Sequence, residues 1–258
     1  MHTVDSLPLW GIFTTVFLGS LLFAECGFRL GQWRNQKGQQ EPQAPLGTIV
    51  ASILGLLAFM LAFTFNVALQ RFDDRRAAVL TEANAIGTTY LRAEFFDEPR
   101  RGEIKKLLRE YVQLRSQGIS GRTTLQQVVS RSEAIQNQLW STAAALGREH
   151  PNSPVTALFI SSLNDVIDMH SKRITLGLHA RVPFTVWLVL LVVSTLSMLS
   201  VGYYTGMAGN RSWAETIILV ATFAVVMLLV ADLDRPYEGA IRTNQQPMID
   251  LARQLGPP

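Results

Sequence analysis

The sequence predicts an all-α membrane protein: four transmembrane helices, with a cytoplasmic helical domain inserted between the second and the third. Three observations predict it. Leu7–Ala24, Leu46–Leu69, Val182–Tyr204 and Trp213–Ala231 are apolar stretches that approach or exceed the roughly 20 residues a helix needs to cross about 30 Å of hydrocarbon. Between the second and third lies the polar segment 70–181, rich in helical periodicity and without strand signals. The third stretch has no charged residue at all, which a buried helix of a soluble domain, with its polar stripe, would not show.

The first stretch reads as a span and not as a cleaved leader, because Met1–Leu7 lacks a basic n-region and carries Asp5. Asn35–Pro45 is a polar connector to the second span. No Gly or Pro interrupts Phe72–Phe95 until Gly87, so the second helix is expected to run on beyond the membrane. Asp97-Glu98-Pro99 marks a turn, with Pro99 opening a helix to about Gln117 that stops at Gly118. Thr123 with Gln126, or Thr124 with Gln127, is a capping-box pattern for a third helix through Leu146, with Gly147 as its stop. Ser153-Pro154 then reads as an N-cap and N1 proline. From there Phe159, Leu163, Val166, His170, Ile174 and Leu178 form one apolar stripe leading to the third span.

That stripe needs a partner, and the extended second helix is the simplest one. The expected result is a helical hairpin that stacks between neighbouring subunits, with Leu163 and Val166 at the contact. Met248, Leu251 and Leu255 share a face of the tail, so the tail is expected to pack on the domain. The domain boundaries are therefore 1–69 for the first two spans, 70–181 for the helical domain, 182–231 for the last two spans and 232–258 for the tail.

Basic residues near span ends set orientation. Arg71, Arg75, Arg76, Lys172, Arg173, Arg181, Arg235 and Arg242 lie on the side of the termini, against Arg29, Arg34, Lys37 and Arg211 on the other. The positive-inside rule places termini and domain in the cytoplasm. The pI of about 9.2 follows from this bias and points to anionic lipid; basic and acidic residues alternate in 70–181, so no nucleic-acid partner is expected. A single cysteine excludes an internal disulfide.

No constellation for catalysis emerges: there is no phosphate loop and no nucleophile beside a base. Asp165, Asp168 and His170 are near one another in sequence but do not all share a helical face, so no metal and no cofactor are expected. Asp232 and Asp234 read as the end of the fourth span. Ser194 and Ser197, with small neighbours, suit close packing in the third.

The second span holds the unusual residues. Phe59, Phe63, Asn66 and Gln70 fall on one stripe, with Leu56 one turn above. An amide in lipid is costly, so Asn66 faces either protein or water. The residues alone leave two readings open: ordinary packing against another span, or the lining of a pore.

Phe63-Thr64-Phe65-Asn66-Val67-Ala68-Leu69-Gln70-Arg71-Phe72-Asp73-Asp74-Arg75-Arg76-Ala77 resembles the segment where the second helix of bestrophin channels leaves the membrane, and 231–239 is similar to their post-membrane stretch with its Pro-aromatic pair. Glu82–Thr88, Tyr90–Ala93, Leu108–Val112 and Asp234–Met248 resemble the bestrophin-like family of bacterial membrane proteins more closely. The resemblance implies a homo-oligomeric ion channel, a pentamer, with an aromatic neck at Leu56, Phe59, Phe63 and Asn66 and funnel charges at Arg71, Asp73, Asp74 and Arg75. It implies passage of monovalent anions such as chloride, with two alternatives: a monovalent cation channel of the same architecture, or a non-conducting scaffold or sensor. The expected location is a bacterial inner membrane. Calcium gating is not implied, because the acidic run of animal bestrophins is replaced by Tyr237-Glu238-Gly239-Ala240-Ile241.

Overall fold

A computed structural model describes residues 8–38, 43–116, 125–178, 180–209, 211–235 and 239–257. Its described elements are helices: α1 (Leu9–Gln36), α2 (Gln43–Arg92) with a 3-10 turn at Ala93–Phe95, α3 (Arg100–Ser116), α4 (Leu125–Glu149), α5 (Pro154–Leu178), α6 (Phe184–Met207), α7 (Trp213–Asp234) and α8 (Gln246–Leu255). Four of them, α1, α2, α6 and α7, are long and apolar enough to cross a membrane. The chain divides into two compact units, one of residues 1–71 with 181–241 and the other of 72–180 with 242–258.

The first unit contains the four apolar helices. Leu57 and Leu61 of α2 pack with Ala24, Leu190, Met198, Val220 and Met227 in one buried cluster. The closest approach is between α1 and α6. A Cβ placed on Gly27 or Gly31 would fall within 3.0 Å of the backbone of Leu199 or Tyr203, and one on Gly202 or Gly206 would meet Ala24 or Phe28. Both helices thus carry Gly-x-x-x-Gly, and each pair admits the other's backbone. Hydrocarbon offers no hydrophobic drive between helices, so this backbone contact and the dispersion it gathers hold the two together. Ser194 and Ser197 are buried as close packing requires, and Ser197 also closes its own turn by bonding Val193 O. Gly202→Leu is expected to separate the helices and cost at least about 2 kcal/mol. Gly19→Leu should be silent, since a side chain there meets open space. Thermal melts of both variants in detergent check this pair, and equal melting would refute the contact.

Several boundaries differ from expectation for identifiable reasons. Helix α1 does not stop near Ala24 but runs to Gln36, because its glycines pack against α6 and Arg29 bonds Glu25 one turn back. Pro45 lies inside the first turn of α2, where its missing N–H is no loss. Helix α4 passes through Gly147 to Glu149, and the residue that precedes Pro151 ends it. The capping boxes at Thr123 and Thr124 lie outside the described residues.

The second unit has one core. Ala83 and Ile86 of α2, Leu108 and Tyr111 of α3, Leu139 of α4, Phe159, Leu163 and Val166 of α5, and Met248 of α8 are buried together. This overturns the hairpin expectation: Leu163 and Val166 are fully buried inside their own subunit and cannot form a contact with a neighbour. A two-helix hairpin would leave both stripes half wet, whereas α3 and α4 complete the enclosure. Ser153 caps α5 as expected, its Oγ accepting Thr156 N–H. The tail packs on this unit through Met248, Leu251 and Leu255, and Arg109 Nε donates to Leu255 O at 2.9 Å.

Candidate functional site

On α2 the residues Leu57, Leu61, Thr64 and Ala68 recur at helical spacing and are nearly fully buried. The opposite face is open: Leu56, Phe59 and Phe63 are 52%, 68% and 62% exposed, and Asn66 and Gln70 are exposed beside them. The candidate neck residues therefore form a single face that no described helix of the same subunit covers. Gly55, on this face as well, has open space where a side chain would stand.

The candidate funnel charges separate. Asp73 and Asp74 are exposed and Arg71 is half-buried, but Arg75 is only 5% exposed. The expectation for Arg75 is corrected accordingly. Helical register explains it: Arg75 lies eighteen residues, five turns, after Leu57 and so repeats that residue's inward direction. At 100° per residue Asp73 and Asp74 stand within about 60° of the Phe59–Phe63 stripe, whereas Arg71 and Arg76 stand about 100° or more from it.

Asp232 and Asp234 do more than end a span. Both are buried; Asp232 accepts Ala240 N–H and Ile241 N–H at 2.9 and 3.1 Å, and Asp234 accepts Val182 N–H at 2.8 Å. Asp232 holds Ala240 and Ile241, and Asp234 holds Val182, against the end of α7, and Gly239, at φ 123°, leaves room for the Asp232 carboxylate. Among the described residues no group of three or more His, Cys, Asp or Glu could hold a metal ion; Asp165 and Asp168 are exposed while His170 points into the core.

A buried ion network fills the second unit, and sequence reading did not find it. Glu82 of α2, fully buried, pairs with Arg115 of α3 at 3.2 Å and with Arg173 of α5. Arg173 also donates to Gln245 Oε1 at 3.0 Å, tying in the segment before α8. Tyr111 donates its hydroxyl hydrogen to Glu82 Oε1 at 2.8 Å. Its oxygen must then accept from Gln136 Nε2 and His170 Nδ1, each at 3.2 Å. The tautomer of His170 follows: Nδ1 carries the proton, and Nε2 is buried without a hydrogen-bond partner.

Burial alone would raise the Glu82 carboxyl, but Arg173 and Arg115 outweigh it and hold the group below the usual carboxylate range. Burial, then the charge of Arg115, pushes His170 down to about 4. Burial and the Glu82 charge push the Tyr111 phenol well above its usual range. The network is thus one carboxylate, two guanidiniums and a neutral imidazole.

Four membrane-length helices and a second helical unit inserted between α2 and α6 define a class of helical membrane protein with one uncovered, partly polar face on its second span. The chain belongs to the bestrophin-like family: the family model of the Bestrophin-like domain matches residues 19–248. Solved structures agree in fold. Two single-substitution variants of a bacterial bestrophin homolog from Klebsiella pneumoniae are 17% and 16% identical, with TM-scores of 0.67 and 0.66; they match 93% and 94% of this chain and 96% and 97% of theirs. No curated protein matches the sequence.

Proposed function

We propose that the chain is one subunit of an oligomeric ion channel of bestrophin type, with α2 lining the pore. The uncovered face of α2 carries this reading: two phenylalanines two-thirds exposed, followed on the same stripe by Asn66 and Gln70, while Leu57, Leu61, Thr64 and Ala68 on the reverse face are buried. A face bound for lipid alone would not carry an amide at each of two successive turns. In an assembly of copies around an axis, Phe59 and Phe63 form a ring narrow enough to dewet, and Asn66 marks where water resumes. Five copies, cytoplasmic termini and an inner-membrane location complete the proposal, on the family and on the basic bias at span ends.

Ion preference follows from which charges flank the stripe. The expectation of anions came from the family resemblance; of the arginines that follow the stripe, Arg75 is withdrawn into the core and Arg71 is half-buried. Asp73 and Asp74 are exposed and closest to the stripe direction, so the geometry favours the alternative, monovalent cations. The test is a planar bilayer holding purified protein under a KCl gradient. Parent channels should reverse toward the potassium potential, and Asp73→Asn with Asp74→Asn should move the reversal toward the chloride potential. Reversal at the chloride potential in the parent would restore the anion reading; absence of any conductance or flux would favour a scaffold.

A further inference from the structure

The end of α1 is too long for the hydrocarbon. Its 28 residues span about 42 Å, against roughly 30 Å of apolar thickness. The exposed side of the helix changes character along its length. Leu18 and Leu22 are exposed and apolar, then Arg29, Trp33 and Lys37 follow at four-residue spacing, all exposed. From Leu18 to Arg29 is about 16 Å, half the thickness of a bilayer core, so this stripe passes from acyl chains into the headgroup layer.

What stands in that layer is basic and aromatic together. Lys37 Nζ lies 3.7 Å from the centre of the Trp33 ring. Arg211, just before α7, lies 4.8 Å from the Phe28 ring and 4.2 Å from the Trp213 ring. Glu25 is shared: Arg29 Nε bonds Oε1 at 2.8 Å and Arg211 Nη2 bonds Oε2 at 2.6 Å. One carboxylate thus serves two guanidiniums, and Lys37 adds a further cation. The crevice behind Arg211, lined by Leu21, Phe28 and Thr216, holds only about 20 Å³, too little for an acyl chain. A ligand here must lie on the surface with its charge toward the arginines.

We infer that the Arg29–Trp33–Lys37 stripe with Arg211 is a docking surface for the phosphodiester headgroup of an anionic phospholipid, its acyl chains lying along Leu22 and Leu18. Surplus positive charge, donors in an aromatic setting and an adjoining exposed apolar stripe are what such a lipid requires. The surface also accounts for an irregularity of the sequence. Four basic residues sit at the span ends opposite the termini, where a positive-inside distribution would leave few.

The test is lipid retention by the purified full-length protein, measured by native mass spectrometry with phosphatidylglycerol against phosphatidylcholine. Parent protein should retain phosphatidylglycerol preferentially. Each basic residue near an anionic lipid contributes about 1 kcal/mol, so Lys37→Gln should reduce that preference about fivefold and Lys37→Gln with Arg29→Gln about 30-fold, leaving phosphatidylcholine retention unchanged. Lys37 follows the end of α1 and buries nothing, so its single variant still decides the matter if the double variant misassembles. Equal retention of the two lipids by the parent, or an unchanged preference in Lys37→Gln protein of normal size-exclusion behaviour, would overturn the inference. Conductance plays no part in this readout, so it stands or falls separately from the channel proposal.

Discussion

Replacing Phe59 and Phe63 together with alanine is expected to raise ion flux through reconstituted protein by about tenfold or more, the effect of removing some 1.4 kcal/mol of barrier. Both rings are two-thirds exposed within the subunit, so truncation opens no cavity in the core and leaves Leu57 and Leu61 packed as before. The barrier in question is desolvation. A ring of phenylalanines a few ångströms across holds no continuous water, and an ion crossing it loses its hydration without replacement. Alanine widens the ring and lets water through. Ion preference should change little, because Asp73 and Asp74 are untouched. Potassium flux from loaded liposomes measures the effect, with size-exclusion chromatography confirming assembly. Flux no higher than the parent's in a correctly assembled double variant would remove the main support for a pore along α2.

The exposed stripe of α2 was legible in the sequence because exposure on a helix is a matter of register. Once Phe59, Phe63 and Asn66 are placed at three- and four-residue intervals, the reverse face must be Leu57, Leu61 and Thr64, and the structure buries those. Arg75 was misread for an instructive reason. A cluster of Arg71, Asp73, Asp74, Arg75 and Arg76 reads as solvated by composition, and only register, eighteen residues after Leu57, reveals that one member turns inward. The α1–α6 contact was legible but passed over: Gly27-x-x-x-Gly31 and Gly202-x-x-x-Gly206 are packing signals in their own right. Asp232 and Asp234 took the reading of any acid at a span end, since their backbone partners lie in loops whose path no periodicity describes. Leu163 and Val166 belong to a core whose partners periodicity does not name, because an apolar stripe does not tell how many helices of its own chain enclose it.

The Glu82 network lay beyond sequence reading altogether. Its guanidinium partners are 33 and 91 residues away, and a glutamate within a helical run reads as an ordinary surface charge. Its full burial makes it a sensitive position of the second unit. Glu82→Ala would leave Arg115 and Arg173 without their carboxylate and Tyr111 without the acceptor for its proton, a loss of about 3–5 kcal/mol. For a unit of this size that is roughly 10–20 °C in melting temperature. Glu82→Gln keeps an oxygen for Tyr111 and loses only the charge, so it should fall between the parent and the alanine variant. Acid should act in the same direction as the mutation. His170, held at about 4 in the folded unit against an ordinary value near 6.5, binds its proton more readily when unfolded, so the stability it supports is complete above about pH 6.5 and is lost as pH falls through about 4. Glu82, held below its ordinary value, likewise contributes stability that is present above about pH 4.5 and disappears below it. The parent should therefore melt lower at pH 4.5 than at pH 7, His170 alone accounting for up to about 3 kcal/mol once fully protonated. His170→Gln should flatten that slope while retaining a donor toward Tyr111. Thermal melts of parent, Glu82→Ala, Glu82→Gln and His170→Gln at both pH values read all of this. If Glu82→Ala melts within about 1 kcal/mol of the parent, or if His170→Gln keeps the parent's acid slope, the network is peripheral to the stability of the unit.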